Sequence, residues 1–425
     1  MTTLSDAPKE SFRLSQLLYD TRYRSITIQV FALILLIAAL GWLGYNTVQN
    51  LQALGKSFDF GFLSQPAGYD INQRLIEYNN QMTHGRAAMV GIMNTLLIAV
   101  LGCAMATVLG VIAGVLRLSK NWLVSRLMAV YVEGFRNVPL LLWILLIFAF
   151  MSESMHQPRD FRGDEPAAEM LLNHSVAVTN RGGYIPHLSL PHSQSRNETV
   201  ADREGDPATT SGMIDWLLVI GVFVASLITI RQIRHWAHNK LEETGNLPTT
   251  WWMQLGLLII PVGIVFAFLG ATLVVPYLKG FNFTSGIHLR NSFIALWLAL
   301  SLYTGAFIAE IVRAGIMAVS KGQTEAANAL GLRPGRTMSL VILPQALRVI
   351  IPPLISQYLN LTKNSSLAIA VGYMDVRATL GGITLNQTGK ELECMLLLGA
   401  FYLILSLIIS AVMNVYNNSV KLKER

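Results

Sequence analysis

Charge is what this chain has least of. Only 13% of its 425 residues are Asp, Glu, Lys or Arg, about half the share of a typical soluble domain. So few charges cannot cover a water-exposed globular surface, which excludes a soluble enzyme or regulator. Cysteine is nearly absent as well. Cys103 and Cys394 both lie inside apolar segments, where a lone thiol packs as a small apolar group rather than as half of a disulfide. No GxxxxGKS/T loop occurs. Its nearest echo, Gly55-Lys56-Ser57, has Asn50 where the leading glycine belongs, so the backbone cradle for a nucleotide phosphate is missing. If ATP drives this protein, another chain binds it. Internal repeats, low-complexity tracts and Ser/His/Asp or Cys/His constellations are absent too, and no catalytic carboxylate pair stands out. Enzymatic chemistry in this chain is not expected.

Apolar length is what the chain has most of. Hydrophobic residues make up 52% and the mean hydropathy is +0.46. A spanning helix needs roughly 20 apolar residues, and eight segments qualify, at about 26–46, 89–116, 128–151, 213–231, 252–274, 292–313, 350–372 and 393–415. The fold class is therefore an all-α integral membrane protein. The net charge of +7 does not mark a nucleic-acid binder, because the basic residues recur between apolar spans instead of forming one tract. With the N-terminus placed in the cytoplasm, the inside segments hold Arg117, Lys120 and Arg126, then Arg231, Arg234 and Lys240. They continue with Arg313, Lys321, Arg333, Arg336 and Arg348, and end with Lys421, Lys423 and Arg425. The short outside loops 276–291 and 373–392 hold fewer, so the positive-inside rule puts both termini in the cytoplasm.

Two segments flank this pattern. Residues 1–25 form a leader with Lys9, Arg13, Arg22 and Arg24. Phe12, Leu14, Leu17 and Leu18 suit either a short interfacial helix or a partly ordered tail. The apolar run at 26–46 is too long for a signal-peptide core and reads as a retained anchor. Residues 152–212 form a polar outside insert carrying Asp160, Asp164, Glu165, Glu169, Asp202, Glu204 and Asp206. Its histidines His156, His174, His187 and His192 match no zinc spacing, so a solvated loop is expected and no metal.

Between the spans at 292–313 and 350–372 lies a polar island, Glu325 to Pro344. Its pattern is Glu325-Ala326-Ala327, three residues, Gly331, nine residues, then Val341-x-Leu343-Pro344. The alanines favour helix and permit close approach. Gly331 can adopt the left-handed conformation that ends a helix. Pro344, without an amide hydrogen, suits a helix break or a first turn. The expectation is a short helix, a glycine joint and a second helix stopped at Pro344.

That spacing is similar to the signature loop of importer-type ATP-binding-cassette permeases. The flanks AEIVRAGI, KGQTEAANALGL, ILPQALRVIIPPL and TKNSSLA resemble the polar amino-acid branch of that family. The likeness covers about 89–151 and 292–415, which would be the two parts of a five-helix core of the type I importer fold, with a coupling loop at 320–348. The anchor, the insert and the extra spans at 213–274 resemble the longer permease of a general L-amino-acid importer. The resemblance implies a translocating subunit in the bacterial inner membrane, with membrane lipid around it. Its partners would be a second related permease, two ATPase subunits holding ATP and magnesium, and a periplasmic amino-acid-binding protein. It implies no cofactor, metal or nucleic acid for this chain. Glu325, Ala326, Ala327, Gly331, Arg333, Leu343 and Pro344 would then meet the ATPase.

Polar residues inside the spans give further candidates. Gln357, Asn360, Lys363 and Asn364 share one face of the seventh span, and an intramembrane lysine is by default functional. Lys363 could meet a substrate carboxylate or an acidic partner. In the sixth span Tyr303, Phe307 and Glu310 share a face. Glu310 stands three residues before Arg313, which suits an ion pair, or alternatively attraction of a substrate ammonium. Glu133 and Arg136 have the same spacing before Asn137-Val138-Pro139, matching the family's E-x-x-R-x-x-P segment. They are either a paired couple or a cytoplasmic gate. Gly102, Ala106, Gly110 and Gly114 form a small-residue ridge for close helix packing. Two competing readings remain: a secondary transporter driven by an ion gradient, which would show repeats and paired broken helices, and a membrane scaffold or sensor that moves nothing.

Overall fold

The computed structural model describes residues 21–55, 57–163, 166–190, 213–245 and 248–420. Most of the leader, His192, the acidic run 202–206, Asp164, Glu165 and the basic C-terminal residues Lys421, Lys423 and Arg425 lie outside the described residues. The long helices in chain order are α1 (Thr21–Ala53), α2 (His84–Leu116), α3 (Trp122–Asn137), α4 (Leu140–Ser154), α5 (Met213–Thr244), α6 (Trp251–Phe268), α7 (Asn291–Met317), α8 (Lys321–Ala329), α9 (Leu343–Asn364) and α10 (Glu391–Val420). Among the described residues seven helices are long and apolar enough to cross a membrane, eight when α3 and α4 together count as one.

α7 is the centre of the bundle, packed by α2, α3, α4 and α9. The small-residue ridge of α2 makes this possible. A Cβ on Gly110 would stand 2.5 Å from the Ile308 side chain and 2.9 Å from the Gly305 carbonyl, and one on Gly114 would stand 2.6 Å from the Ala309 carbonyl. Gly102 faces Leu361 of α9 in the same way. Lipid tails are as apolar as leucine, so association here comes from such close van der Waals contact and from polar links. Gly315 extends the scheme, with no room for a side chain against Ile350.

The expected span 128–151 is corrected. It is two helices, α3 and α4, bent by 107°. Val138 is extended, with φ −109° and ψ 135°, as the residue before a proline prefers. Pro139 is then the N-cap of α4, a position whose N–H makes no helical bond. α4 has 15 residues and so reaches only about 22 Å. The expected stop at Pro344 is also corrected. A helical turn at Pro334–Thr337, a π-helical turn at Met338–Ile342 and α9 follow one another without a break. Pro344 is the second residue of α9 and follows the π-helical turn directly, so it takes one N–H out of the chain's bonding without ending the helix. α9 ends at Asn364, and Ser365–Val371 tighten into a 3-10 helix.

The insert is not a bare loop. β1 (Ala177–Thr179), β2 (Gly182–Ile185) and β7 (Ile287–Arg290) make one antiparallel sheet, with Gly182 opposite Arg290 and Tyr184 opposite His288. β3 (His187–Ser189) pairs with β4 (Thr272–Val274), and β5 (Tyr277–Lys279) with β6 (Asn282–Thr284). The insert and the 276–291 connection are thus joined at one end of the bundle. Short, widely separated strands leave no alternation long enough to read in advance. Of the insert histidines, His156 pairs with Asp160 at 3.6 Å and His187 Nδ1 accepts from the Gly286 amide at 3.1 Å.

α5 and α6 form a hairpin on each other, with Leu190 and Leu269 buried between the hairpin and the insert. α1 stands apart, and no part of its apolar window is buried.

Candidate functional site

α8 is short, polar and exposed, with Glu325 and Ala326 open and only Ala327 buried. Its end is a double hydrogen-bonded cap. The Gly331 amide donates to Asn328 O at 2.9 Å, and the Leu332 amide donates to Ala327 O at 3.1 Å. This pattern needs a left-handed residue, and Gly331 has φ +73°. Beyond it Arg333 is exposed, and its carbonyl starts the next turn by accepting from the Arg336 and Thr337 amides. Gln345 Nε2 donates to Gln323 Oε1 at 3.3 Å, tying α8 to the first turn of α9. Leu343 and Pro344 are exposed beside it. The seven residues expected in this loop therefore fall on one hook, exposed except for Ala327, and the hook is continuous with α9.

α9 has two faces. Leu361 and Thr362 are buried, and Tyr358 packs inward with its hydroxyl 2.7 Å from Thr107 Oγ1. On the other side Asn360 and Lys363 are exposed, while Gln357 and Asn364 are half-buried. The polar stripe thus points away from this chain's own core. The described residues place no carboxylate in an ion pair with Lys363.

At the α8 end of the bundle, Arg117 gathers the charges. Its guanidinium pairs with Glu310 and lies 3.6 Å from Glu133. Glu310 also accepts from Arg313 at 2.6 Å, as its spacing suggested. Glu133 and Arg136, however, do not pair with each other. Glu133 goes to Arg117, and Arg136 lies over the Phe307 ring at 5.2 Å, because the turn of α3 aims the two side chains at different neighbours. Phe307 and Tyr303 are in contact at 5.1 Å between ring centres. Sequence reasoning counted Arg117 only as an orientation signal. Its place just after a glycine ridge, and so opposite whatever that ridge packs on, was the available clue.

The far end of the core was also missed. Asn94 of α2 donates to the carbonyls of Gln73 and Met374, both at 2.8 Å, and Thr95 Oγ1 accepts from the Val376 amide at 3.1 Å. Together they hold the irregular segment 365–388 against α2. Asp375 caps the next helical turn through Oδ1, accepting from Ala378 N at 2.8 Å. Its Oδ2 has no partner among the described residues, and burial pushes its carboxyl up to about 7. In contrast, Lys390 donating to Asp59 holds that exposed carboxyl down at about 2. This pair borders a polar cavity of 580 Å³ lined also by His84 and Gln387. Polar residues inside an apolar run, such as Asn94-Thr95, were the signal here.

Comparison with known proteins bears on these features. Residues 106–422 match the family described as "Binding-protein-dependent transport system inner membrane component". The chain is 55% identical to the glutamate/glutamine/aspartate/asparagine transport system permease protein BztB of Rhodobacter capsulatus, over the whole of both chains. It is 43% identical to the general L-amino acid transport system permease protein AapQ of Rhizobium johnstonii, over 98% of this chain and 96% of that one. The glutamate/aspartate import permease protein GltK of Escherichia coli is 29% identical, and its match covers 45% of this chain and 80% of GltK.

Proposed function

Because this chain belongs to the family of binding-protein-dependent transport system inner membrane components, we propose that it is the permease subunit of an ATP-driven importer of L-amino acids in the bacterial inner membrane. The amino-acid class comes from the names of the relatives that match over nearly the full length. The substrate crosses unchanged. ATP and magnesium belong to two ATPase subunits docked under α8, and a soluble amino-acid-binding protein delivers at the opposite end. In this reading both termini are cytoplasmic.

The observation that carries the coupling is the unbroken path from hook to stripe. α8 is held to α9 by the Gly331 cap and by Gln323–Gln345, and α9 carries Gln357, Asn360, Lys363 and Asn364. A pull on α8 is therefore a tilt of the polar stripe. That stripe faces outward from this chain, and a lysine within a span left to lipid is costly. A second, related permease across a watered cleft supplies the missing wall. The Arg117–Glu310–Arg313 cluster, with Glu133 and Arg136 beside it, ties α2, α3 and α7 together at the ATPase end. It acts as the gate that the stripe's motion opens.

Reconstitution with the co-purifying subunits tests this. Labelled L-amino-acid uptake is expected to require ATP and to survive ionophores. Uptake that needs no ATP and collapses with an ion gradient would establish the secondary-transporter reading instead. Gly331→Pro forces φ from +73° to the proline value near −65°. It is expected to abolish uptake while leaving membrane insertion and basal ATP hydrolysis in place. Normal ATP-driven uptake by this variant would remove α8 from the coupling path.

A further inference from the structure

The α5–α6 hairpin takes no part in the hook, the stripe or the charge cluster, and it carries a patch of its own. No residue of α6 is buried, and α5 buries only 17% of its apolar window. In a bilayer such faces meet lipid tails. Leu190 and Leu269 close one end of the hairpin against the insert. The other end is basic. Arg231, Arg234, His235 and His238 recur at i, i+3, i+4 and i+7 of α5, so they share one face, and all four are exposed.

Depth decides what that face meets. Arg234 Nε donates to Gln254 Oε1 at 3.0 Å, and Gln254 Nε2 donates to Thr250 Oγ1 at 2.9 Å. Arg234 is thereby held level with the first turn of α6, whose Trp251 and Trp252 are 69% and 59% exposed. Exposed tryptophan at the end of a span marks the boundary between hydrocarbon and headgroups. The 18 residues of α6 reach about 27 Å, close to the roughly 30 Å of a hydrocarbon core, so the first turn of α6 lies at that boundary. A guanidinium there stands among lipid phosphates rather than in bulk water. Its charge is not cancelled within the chain. Among the described residues no carboxylate forms an ion pair with Arg231 or Arg234, and the nearest acids along α5 are Glu242 and Glu243. Glu242 lies 3.6 Å from His238. It stands about 12 Å past Arg234 along the helix, beyond a Debye length at physiological salt.

We propose that this face binds an anionic phospholipid, its phosphodiester on Arg231 and Arg234 and its acyl chains along α6 below Trp251 and Trp252. Continuity selects a lipid over a protein. One ligand then covers both the basic face and the apolar face directly beneath it, whereas an acidic peptide would cover only the first. The uncancelled arginines select an anionic lipid over a zwitterionic one, whose ammonium they repel. The inference needs only the membrane fold and stands apart from what the chain transports.

The test is native mass spectrometry of the purified full chain in detergent, titrated with phosphatidylglycerol, with phosphatidylcholine and with inorganic phosphate. The first phosphatidylglycerol is expected to bind about tenfold more tightly than phosphatidylcholine, and inorganic phosphate is expected not to displace it. Arg231→Gln combined with Arg234→Gln is expected to weaken phosphatidylglycerol by about tenfold or more and to leave phosphatidylcholine unchanged. Lysine at both positions is expected to recover most of the affinity, because the charge does the binding. Arg126→Gln removes an exposed charge from α3 and is expected to change nothing, which separates this face from net charge alone. The lipid series needs no variant, so it decides even if a substitution disturbs the fold. Equal binding of the two phospholipids by the wild-type chain, unchanged affinity in the double glutamine variant, or the same loss in Arg126→Gln would overturn the proposal. Displacement by inorganic phosphate would reduce the face to a bare anion site and overturn the lipid assignment. Loss of co-purifying subunits from the double variant, with lipid affinity unchanged, would give the face to a protein instead.

Discussion

α1 and α7 are both long apolar helices, and they are built on opposite rules. In α7, 67% of the apolar window is buried, and in α1 none is. Yet α1 is the more hydropathic of the two. A water-soluble protein would show the reverse, with the most apolar helix deepest. In a bilayer the surrounding solvent is hydrocarbon, so the unburied helix carries the most apolar surface. The central helix can hold Glu310 because Arg117 and Arg313 pair with it, and Gly305 lets its neighbours approach closely. What α7 has and α1 lacks is packing by absence of side chain. Around α7, Gly110, Gly114 and Gly315 lie where any Cβ would collide. Gly41 and Gly44 of α1 have nothing within 4 Å of such a Cβ.

The sharpest way to break this comparison is to add volume at the ridge. Gly110→Leu must displace Ile308 and the Gly305 backbone, and carbonyls in a helix cannot step aside. The expected loss exceeds about 4 kcal/mol, at the severe end for a single substitution. It would be seen as loss of monodisperse protein in detergent. A folded Gly110→Leu with an unchanged melting temperature would mean that α2 and α7 are not in contact as described.

How much of this was legible beforehand follows from the same contrast. The ridge, the spans, the glycine joint at Gly331 and the polar stripe on α9 are periodic or local features, and sequence spacing reports them directly. The bend at Pro139 was signalled by the proline but hidden by the continuous apolar run on both sides. Pro344 misled in the other direction, since a proline in a first helical turn looks, from sequence, like one that ends a helix. The insert sheet joins residues a hundred positions apart, Gly182 with Arg290, and no local pattern encodes such a pairing. Arg117 and Asp375 were missed because their roles lie in partners that only the fold supplies.

Asp375 gives the next largest expected effect, and it is stabilising. Its carboxyl is near 3.8 when unfolded and about 7 when folded. As pH rises from about 4 to 7, the unfolded chain releases a proton that the folded chain retains. Folding is therefore penalised progressively over that window, and fully above it. Asp375→Asn keeps a side-chain oxygen for the Ala378 amide and carries no proton to lose. Relative to wild type it is expected to gain about 4 kcal/mol at pH 8 and well under about 1 kcal/mol at pH 4. Melting curves at the two pH values check this, and a pH-independent difference would show that the carboxyl is not held neutral. No position in α1 offers a comparable change, because nothing polar is buried among its described residues.

Arg117→Ala comes third. It removes the guanidinium that joins Glu310 to Glu133 and so unties α2 from α3 and α7 at one end. The side chains involved are 16%, 26% and 66% exposed, so the loss is far below that of a sealed ion pair. About 1–2 kcal/mol is expected. Glu310 retains Arg313 at 2.6 Å and is not left alone. A double-mutant cycle with Glu310→Gln separates the pair from the rest. A coupling near zero would mean that the ridge alone holds that end of the bundle.

The smallest effect belongs to α1, and it decides whether the two rules are real. Gly41→Leu adds to an open face the same side chain that Gly110→Leu forces into a closed one. If α1 meets only lipid, the change replaces hydrocarbon contact with hydrocarbon contact. The melting temperature of the isolated chain should then correspond to a change within about 0.5 kcal/mol. The assembled complex offers a finer reading. A face with Gly41 and Gly44 three residues apart admits a close helix partner as readily as it admits lipid. Should Gly41→Leu leave the isolated chain unchanged but lower recovery of co-purifying subunits, α1 would be a docking helix rather than a lipid-facing anchor. Neutrality in both measurements would leave α7 as the only one of the two helices whose sequence is constrained by contact with protein.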